Sequence, residues 1–548
     1  MRLSPKWGWF AAFTAVFAVC AAYVFWGTWS PEMAPVMPDC PTSYPTHWFR
    51  ARLVSWLENG KFTPSEAINW IGSPYIWTEF QYAFAAYMSA LGMVYFLRGR
   101  GLPRVAAYGA GLLLAFSGYW FTLFSAGHLG WFQWMTYGVF AFGLIDRALE
   151  KGKPRHWLLL GACLAWGSMH QPDLWLLFSV FSAAYFVFRL AVVLHDTARD
   201  ARRATLFRWV KGAAMALAAL LAIGGASFRS AFVNDLAGRD KQIEEGQTLG
   251  ANAAKDDAEK RWIFVTNWSM PPEATKEFWH AGVEGDTSCP FTLAIGQKRG
   301  NGIRQYVGRL GRPLGATQGN YRQHSLYVGW MTLLLVFVGF ILLKSRKFKA
   351  VEPGRSTMVF FTLSAVVFWF FSMGRFCEPV YRIVYALPFG DYLRAPVKWH
   401  HLTEFCLCVL AGYGLSSLYL LSQTCAKSFS PVVALRIAVA VAAVCVLIGV
   451  VDLACNDRLY CAPHRADADM QFVDGRMLQD PRGVAQLNQM RARVLGTYQG
   501  AALVEIPKKK QKDEPKPELP SPQPITLALG IISLVGTLAV GAYGIKKS

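Results

Sequence analysis

Long runs of apolar residues alternate with short polar links along almost the whole chain. Most of these runs approach the 20 or so residues that a helix needs to cross the hydrocarbon core of a bilayer. The pattern predicts an all-α polytopic membrane protein with about twelve transmembrane helices, and the short run 157–170 as a partial or tilted span. The predicted spans are 7–26, 79–97, 105–125, 129–146, 157–170, 174–194, 211–228, 325–343, 357–373, 401–421, 433–452 and 525–544.

Lysine and arginine collect in every second link between the runs, and this predicts an orientation. The basic links are 98–104, 150–156, 195–211 and 344–349. Short basic links stay on the cytoplasmic side of a membrane. Because the number of predicted spans is even, both termini are expected to be cytoplasmic. The long segments expected outside are 27–78, 229–324 and 453–524.

The topology divides the chain into three predicted parts. Residues 1–452 form a transmembrane domain with outer loops 27–78 and 229–324. Residues 453–524 form a short extracytoplasmic segment that ends in the Pro- and Lys-rich linker PKKKQKDEPKPELPSPQP, whose composition cannot bury a core. Residues 525–548 form a C-terminal transmembrane helix. The two halves do not show the matched broken helices of many transporters.

The composition supports the membrane interpretation and gives the high net positive charge a different explanation. The chain is 53% hydrophobic and carries a formal net charge of +20, with a mean hydropathy of +0.25. In a soluble protein that charge would suggest nucleic acid as a partner, but here the cations follow the cytoplasmic links, so no nucleic acid is expected. The N-terminus resembles a signal peptide, yet its apolar run is long enough to span and shows no small-residue cleavage pattern. We therefore expect a retained first helix.

Five of the 11 cysteines fall in segments that the topology places outside, where disulfides can persist. These are Cys40, Cys289, Cys377, Cys455 and Cys461. Cys455 and Cys461 are the easiest pair to join, and one thiol of the five is left over. No metal-ligand spacing of Cys and His is present, so no metal site is predicted.

The first outer segment begins with the acids Glu32 and Asp39, which precede an amphipathic pattern at 47–58. That pattern predicts either a helix lying on the membrane surface or an ordinary packed helix. A carboxylate beside a surface helix is well placed to deprotonate an acceptor hydroxyl while a lipid-linked donor lies alongside. The alternative is that both acids are solvated loop residues.

This early acid, followed by surface helices on a long first outer loop, resembles the GT-C superfamily of membrane glycosyltransferases. The finer pattern is similar to the YfhO-like family of bacterial membrane proteins. The stretches that carry the resemblance are PDCPTSYPTHWFRARLVSWLENGKFTPSEAINWIGSP, SAGHLGWFQW, SMHQPDLW, HSLYVGWMTLLL and LPFGDYLRAPVKWHHLTEFCLCVLAGYGL. They cover roughly residues 1–420. No WWD motif of oligosaccharyltransferases is present, and the tail after residue 453 is shorter than in many relatives.

The resemblance implies inverting transfer of a sugar from a polyprenyl-phosphate donor to a glycan, lipid or protein acceptor of the cell envelope. The reaction would take place on the outer face of the bacterial inner membrane. Asp39 matches the family's early acid and is therefore the expected general base. The leaving lipid phosphate needs cations or oriented N–H donors. A divalent metal is compatible with this chemistry, but the sequence does not indicate one.

Polar residues at the outer ends of spans are candidates for binding the sugar or diphosphate. His128 lies in one predicted outer turn, and His170 and Asp173 lie in the next. They would form a polar wall at the membrane depth of Asp39. The alternative for His128 is a hydrogen-bonded turn residue. For His170 and Asp173 it is a helix-capping role, because HQPDLW has Pro and Asp where a helix would restart.

The loop GDYLRAPVKWHH, residues 390–401, is unexpectedly positive for a short outer link. Charges near a bilayer that break the positive-inside rule tend to face a cavity and to be functional. An Arg can clamp a phosphate with two hydrogen bonds, and a Lys adds a point charge. The alternative is that these cations form salt bridges to Asp391 or Glu404 and contact lipid headgroups. The candidate binding residues here are Arg375, Asp391, Arg394, Lys398 and His400.

Two other classes of function remain open. O-antigen ligases and polymerases also act on polyprenyl-linked substrates and pair outer-loop Arg with His, but their large loop usually comes late in the chain. A transporter of lipid or polysaccharide would need charges or helix breaks near the middle of the membrane. The ionisable residues of this sequence gather instead at the outer ends of the spans.

Overall fold

The computed structural model describes most of the apolar runs and parts of the links between them. The described residues are 5–28, 33–36, 56, 63–65, 74–121, 123–230, 240, 256–280, 325–343, 353–388, 390–425, 430–461, 464–465, 481–493, 502–505 and 524–547. Helices account for most of them, as the apolar runs predict. The amphipathic helix predicted at 47–58 lies outside the described residues except for Trp56.

The described helices and strands are labelled here in chain order. The helices are α1 Pro5–Val24, α2 Pro74–Gly99, α3 Arg104–Ala115, α4 Gly118–Phe121, α5 Leu123–Ala126, α6 Leu129–Gln133, α7 Met135–Lys151, α8 Pro154–Ser168, α9 Pro172–Asp196, α10 Arg202–Ser230, α11 Asp257–Val265, α12 Trp330–Leu343, α13 Pro353–Ser372, α14 Glu378–Tyr385, α15 His400–Cys425, α16 Pro431–Cys461, α17 Pro481–Arg493 and α18 Pro524–Lys547. The strands are β1 Met33–Val36, β2 His464–Arg465 and β3 Ala502–Glu505. Short 3-10 helices cover Pro272–Phe278, Gly374–Cys377, Gly390–Tyr392 and Pro396–Trp399.

Within the described part of the chain, seven helices are long and apolar enough to cross a membrane. They are α1, α2, α9, α10, α13, α15 and α16. Shorter apolar helices cover Arg104–Ala115, Trp330–Leu342 and Leu527–Val540. The architecture is thus that of a predominantly helical membrane protein. The total of twelve spans stays a prediction.

The chain forms two compact units, and each unit combines segments that are far apart in the sequence. The first unit comprises Met1–Trp26, Met93–Phe124 and Leu236–Ala462. The second comprises Gly27–Gly92, Ser125–Asp235 and Pro463–Ser548. The two units are described separately below.

In the first unit, α15 is the central helix and packs against α3, α12, α13 and α16. Its approach to α12 is close because Gly414 has no side chain. A Cβ atom at Gly414 would lie 1.9 Å from the carbonyl oxygen of Leu335. Small residues of this kind allow helix backbones to approach each other in membrane proteins, where apolar lipid gives little drive for helices to associate.

The predicted span 105–125 is not one continuous helix. Helix α3 ends at Ala115, and the backbone N–H of Gly118 donates to the carbonyl of Tyr327 over 2.9 Å. A Cβ at Gly118 would lie 2.8 Å from that same oxygen, so only glycine fits. The interruption therefore comes from a tertiary polar contact, which an apolar pattern does not reveal.

The C-terminal end of α1 is held by a residue from α16. The Arg458 guanidinium donates to the carbonyls of Tyr23 at 3.1 Å and Val24 at 3.4 Å, and also to the carbonyl of Trp26. These carbonyls lie at or just past the end of the helix, where carbonyl groups lack intrahelical partners; that of Tyr23 also accepts from the Trp26 N–H over 3.2 Å. A cation is favourable at that end of a helix.

The second unit is built around α8, which packs against α7, α9, α10 and α18. A Cβ at Gly161 would lie 2.0 Å from the carbonyl of Ala216, so α8 and α10 are in close backbone contact. This unit also holds a small sheet that the sequence did not predict. Its strand order is β1-β3-β2, with β1 antiparallel and β2 parallel to β3.

Cys455 and Cys461, the pair that looked easiest to join, do not form a disulfide, because both thiols are free and buried. Helix α16 continues past the predicted end of the span at residue 452 and includes both cysteines. Six residues of helix separate their Cα atoms by about 9 Å, and a disulfide needs less than about 7 Å. Cys377 is also free, whereas Cys40 and Cys289 lie outside the described residues.

Candidate functional site

A fully buried polar cluster in the first unit anchors the start of α15. It is called here the Glu404 cluster and consists of Ser117, Trp120, His400, His401 and Glu404. The Ser117 hydroxyl donates to Glu404 Oε1 over 2.6 Å. His400 Nε2 lies 3.7 Å from Oε1, and His401 Nδ1 lies 4.0 Å from Oε2. The Trp120 ring packs on the His401 ring with their centroids 4.0 Å apart.

The chemistry of the Glu404 cluster is that of a carboxyl group between a hydroxyl and two imidazoles. Hydrogen bonds in which one partner is charged are shorter and stronger than bonds between neutral groups. The His and Glu side chains are 0% exposed, so the cluster does not itself reach solvent. The Ser117–Glu404 hydrogen bond instead joins the start of α15 to the break that follows α3.

A second set of buried polar contacts lies beside the break after α3. The Tyr327 hydroxyl donates to Asp452 Oδ2, and Ser325 Oγ lies 3.4 Å from Asn456 Oδ1. The Gly118–Tyr327 backbone bond joins these contacts to the segment that carries Ser117. Polar groups from α16, from the start of α15 and from residues 325–327 therefore belong to one connected region of the first unit.

The loop before α15 has a strained backbone. Among the described residues other than glycine, Trp268 and Ala395 have positive φ values, of 59° and 67°. The Ala395 N–H donates to the carbonyl of Val265 over 3.2 Å, and the Val397 N–H donates to that of Trp268 over 3.1 Å. The strained residues are thus on two segments joined by backbone hydrogen bonds. Residues other than glycine seldom adopt a positive φ, and those that do tend to occur at functional sites.

A glycine at the same junction is required for packing. Gly374 has a φ of +50°, and a Cβ there would lie 2.1 Å from Ser269 Oγ and 2.5 Å from Pro396 Cγ. The segment after α13 therefore lies directly against the turn that carries Ser269 and against the loop that carries Pro396. This junction holds the cationic loop in one conformation.

Within the loop, Arg394 and Lys398 have different environments. The Arg394 Cζ atom lies 5.0 Å from the ring centroid of Trp268 and 5.4 Å from that of Phe264. Lys398 is buried, with 4% of its surface exposed. His400 is also buried and packs against the Phe278 ring at 4.6 Å. Arg394, which is half-buried, is therefore better placed than Lys398 or His400 to meet a ligand from outside the fold.

Arg375 is engaged by the end of α11. Its Nε donates to the carbonyl of Thr266 over 3.1 Å, and its Nη2 donates to the carbonyl of Ile263 and to Asn267 Oδ1, both over 3.3 Å. Burial lowers the pKa of the Arg375 guanidinium. These bonds indicate a structural clamp on the C-terminal end of α11, which is favourable for a cation. A binding role for Arg375 stays a prediction.

Asp391 belongs to a chain of partly exposed charges. Arg261 lies between Asp391, at 3.3 Å, and Asp240, at 3.1 Å. The Tyr392 hydroxyl lies 3.4 Å from both carboxylate oxygens of Asp240. Burial alone would lower the pKa of Arg261, but hydrogen bonds with Tyr392 and Asp240 raise it overall. Asp391 is therefore paired with Arg261, and the alternative that Arg394 and Lys398 form salt bridges to Asp391 or Glu404 stays a prediction.

In the second unit, the two predicted outer turns lie against each other. A Cβ at Gly130, next to the His128 turn, would lie 3.2 Å from the His170 carbonyl oxygen. The His170 ring stacks on Tyr137 at 6.0 Å with an interplanar angle of 6°. The Tyr137 hydroxyl donates to Ser65 Oγ over 2.8 Å. His128 and His170 thus share one region with part of the first outer segment.

Asp173 has a local role at the start of α9. Its Oδ1 accepts from Gln171 Nε2 at 2.8 Å and from the backbone N–H of Leu174 at 2.9 Å. An acid in the first turn of a helix is also favoured by the helix dipole. The N-cap of this helix is Gln171, without a side-chain capping bond, so Asp173 does not cap the helix, and its role in substrate binding stays a prediction. Asp39 and Glu32 lie outside the described residues.

Several buried charges were missed in reading the sequence. Asp146 and Arg189 form a buried pair in the second unit, while Glu404 and His401 belong to the cluster described above. A usable signal was present, because an ionisable residue inside an apolar run is rare and needs a partner. Arg189 lies inside the predicted span 174–194, and Glu404 lies inside 401–421.

No protein-family model matches the chain, and neither does any curated protein or solved structure. The resemblance to the YfhO-like family therefore stays an interpretation of the quoted motifs. Within the described ranges, no group of three or more His, Cys, Asp and Glu side chains is arranged to hold a metal ion.

The strain at Ala395 predicts an asymmetric response to substitution. We expect Ala395→Val to lower the free energy of unfolding by about 1–3 kcal/mol, because a β-branched side chain is strained at positive φ and this position is buried. Ala395→Gly should leave the free energy of unfolding nearly unchanged, because the relief of backbone strain offsets the entropy gained by the unfolded chain. Thermal unfolding of the purified protein in detergent would measure both, and equal losses for Val and Gly would contradict the prediction.

Proposed function

We propose that the protein is a GT-C-type membrane glycosyltransferase that moves a sugar from a polyprenyl-phosphate donor to a cell-envelope acceptor on the extracytoplasmic face. The observation that carries the proposal is the position of Arg394. It immediately precedes a candidate membrane span that begins at Pro396, on a loop whose strained backbone is fixed by hydrogen bonds. A guanidinium in that position suits a phosphate that is attached to a lipid.

The chemistry of the reaction explains why such a cation is useful. When the acceptor oxygen attacks the anomeric carbon, the bond from that carbon to the donor phosphate breaks and negative charge develops on the phosphate. A fixed cation at the boundary of the apolar region stabilises this charge more strongly than bulk water would. Arg can also contact two phosphate oxygens at once.

The general base in this proposal is Asp39, assigned by resemblance alone. It would accept the proton of the acceptor hydroxyl as the new glycosidic bond forms. His128, His170, Asp173 and Glu32 remain candidates for contact with the sugar or diphosphate. The proposed location is the bacterial inner membrane, with twelve spans and both termini in the cytoplasm.

A transporter of lipid or polysaccharide is the second candidate, and buried charges favour it. Glu404 and Arg189 are both buried inside candidate spans. Ionisable residues in such positions often mark the path of a substrate or proton. Each of these two residues, however, is held by partners within its own unit, which also fits a purely structural role.

Binding of polyprenyl monophosphate tests the proposed donor site without knowledge of the sugar. The full-length protein would be placed in phosphatidylcholine nanodiscs and titrated with this lipid. We expect Arg394→Ala to weaken binding about 10- to 150-fold, the range for loss of a hydrogen bond to a charged group. Arg394→Lys should recover only part of the affinity, because Lys lacks the planar fork.

The matched control is Arg382→Ala, which removes an exposed cation from α14 that pairs with Glu378 at 2.8 Å. This variant should bind the lipid as the unmodified protein does. If Arg394→Ala bound polyprenyl phosphate normally and lost only thermal stability, the donor-site assignment would be wrong. Phosphatidylglycerol is the comparison ligand, and equal weakening for both lipids would assign Arg394 to ordinary headgroups.

A further inference from the structure

Two of the basic links, the one after α7 and the one before α10, lie against each other in the second unit. A Cβ at Gly152 would lie 2.9 Å from Arg208 Nε. The buried Trp209 donates from its ring N–H to the carbonyl of Leu149 over 3.0 Å. The cations of both links therefore belong to one surface, called here the basic surface. Its exposed cations are Lys151, Lys153, Arg199, Arg202, Arg203, Arg208 and Lys211.

The acids of the two links do not cancel the charge of the basic surface. Glu150 pairs at 2.8 Å with Arg189 of α9, which is not part of the surface. Asp196 lies 3.2 Å from the His195 ring nitrogen. Asp200 is the third acid of the two links. The seven exposed cations outnumber these three acids, so the surface keeps a strong net positive charge.

A buried histidine beside the basic surface is affected by the same excess of positive charge. Burial, and after it the charges of Arg155, Lys151 and Arg147, lower the pKa of the His156 imidazole to about 4. At neutral pH this histidine adds no charge, and the excess comes from lysine and arginine, which do not titrate there. The attraction of the surface for an anion therefore persists across the physiological pH range.

Helix α10 carries apolar side chains through the basic surface. The helix begins at Arg202, well before the start of the span that the sequence predicts. Its next turns include Leu206, Phe207 and Val210, which are 46, 61 and 59% exposed. The Lys211 ammonium lies 4.4 Å from the ring centroid of Phe207. Apolar and cationic side chains are thus interleaved on the exposed side of one helix.

The exposed apolar side chains continue along the part of α10 that is long enough to span a membrane. Leu206 and Val210 are about one turn apart, and Leu217 and Leu221 follow on the same side at helical spacing, with 53 and 54% exposure. A face that continues the apolar side of a candidate span meets lipid rather than water. The basic surface lies at the end of that face, where the headgroups of a bilayer begin.

We propose that the basic surface binds the headgroups of anionic phospholipids. Basic segments next to a membrane span attract anionic lipids. Long Lys and Arg side chains can hold their charge among the phosphates while their stems cover apolar surface. A nucleic acid or an acidic protein would satisfy the charges but would leave the apolar side chains beside them exposed to water. The inference concerns the second unit and does not depend on the proposed sugar transfer.

Titration of the full-length protein in detergent with phosphatidylglycerol, followed by native mass spectrometry, tests this binding. We expect Arg208→Gln/Lys211→Gln to weaken it about 25-fold, because each cation near an anionic headgroup contributes about 5-fold. Phosphatidylcholine, which has no net charge, should bind weakly to both proteins. A higher salt concentration should weaken the binding of phosphatidylglycerol to the unmodified protein, because exposed charges are screened.

Two control variants separate charge at this surface from other effects. Arg208→Lys/Lys211→Arg keeps both charges and should bind phosphatidylglycerol as the unmodified protein does. Arg436→Gln removes an exposed cation near the start of α16, another candidate span. It should leave the affinity unchanged, because Arg436 is not part of the basic surface. Melting temperatures of all variants should be equal, since every substituted side chain is exposed.

Several outcomes would overturn the proposal. Normal affinity of the double Gln variant for phosphatidylglycerol, or equal affinity of the unmodified protein for both phospholipids, would show that the surface is only solvated. Equal weakening by Arg436→Gln would reduce the effect to the general attraction of cations at a membrane boundary. Binding of heparin, a soluble polyanion, without any preference for phosphatidylglycerol would assign the surface to a soluble partner. Should the double variant not fold, Lys151→Gln/Lys153→Gln carries the same test from the other link.

Discussion

Replacing Asp39 with asparagine is expected to lower sugar transfer about 100- to 10,000-fold, the contribution of a general base. The change keeps the size of the side chain but removes its ability to accept the proton of the acceptor hydroxyl. Transfer would be measured in membranes containing the full-length protein and a panel of polyprenyl-phosphate hexoses. Binding of polyprenyl monophosphate should be unaffected, because the base acts on the acceptor.

The matched control for this variant is Glu58→Gln, which neutralises another acid of the same outer segment. It should retain normal transfer, so that a loss confined to Asp39→Asn cannot be ascribed to a general change of charge. Yield and melting temperature of both variants should equal those of the unmodified protein. Near-normal transfer by a well-folded Asp39→Asn protein would remove Asp39 as the base.

The largest expected effect on stability is at the buried ion pair of the second unit. Arg189 Nε lies 2.6 Å from Asp146 Oδ1, with both side chains at most 4% exposed. The Tyr185 hydroxyl also donates to this carboxylate oxygen, at 2.9 Å. Arg189→Leu leaves the Asp146 charge buried without its cation. We expect this to lower the free energy of unfolding by about 3–5 kcal/mol, seen as a large fall in melting temperature in detergent.

A second variant distinguishes an uncompensated charge from simple loss of packing. The double variant Asp146→Leu/Arg189→Leu removes both charges and should be clearly more stable than Arg189→Leu alone, because an apolar pair has no desolvation penalty. Lys260→Leu, which breaks an exposed pair with Asp257, should leave stability unchanged. A double variant no more stable than Arg189→Leu would show that packing, rather than the buried charge, is lost.

The helices of this protein are largely visible in its sequence, because apolar runs of sufficient length have few alternatives in a membrane. Each predicted span overlaps a described helix. The errors lie where tertiary contacts decide the local structure. The run 105–125 breaks at Ser117, whose hydroxyl bonds to Glu404, and no local pattern predicts that partner. Likewise, the cysteines at 455 and 461 looked joinable only because α16 was expected to end before them.

The candidate site was partly predictable for a similar reason. In the predicted topology, which places residues 390–401 outside, their cations break the positive-inside rule, so they attract attention without a structure. Their surroundings are not visible in the sequence, because the Arg394 guanidinium lies beside the Phe264 and Trp268 rings, more than 120 positions earlier in the chain. The Glu404 cluster depends on the same kind of distant contact, between Ser117 and the first turn of α15. Sequence therefore indicates which charges are unusual, and the fold decides what they face.

The contact between Arg458 and the end of α1 has a consequence for biosynthesis. Translation at about 5–20 residues per second places roughly 20 to 90 seconds between synthesis of Trp26 and synthesis of Arg458. During that time the last carbonyls of the first helix lack the guanidinium that binds them in the finished protein. Helix α1 is therefore made long before the residue that restrains its end, and nascent chains stopped before residue 458 should show a looser end to this helix.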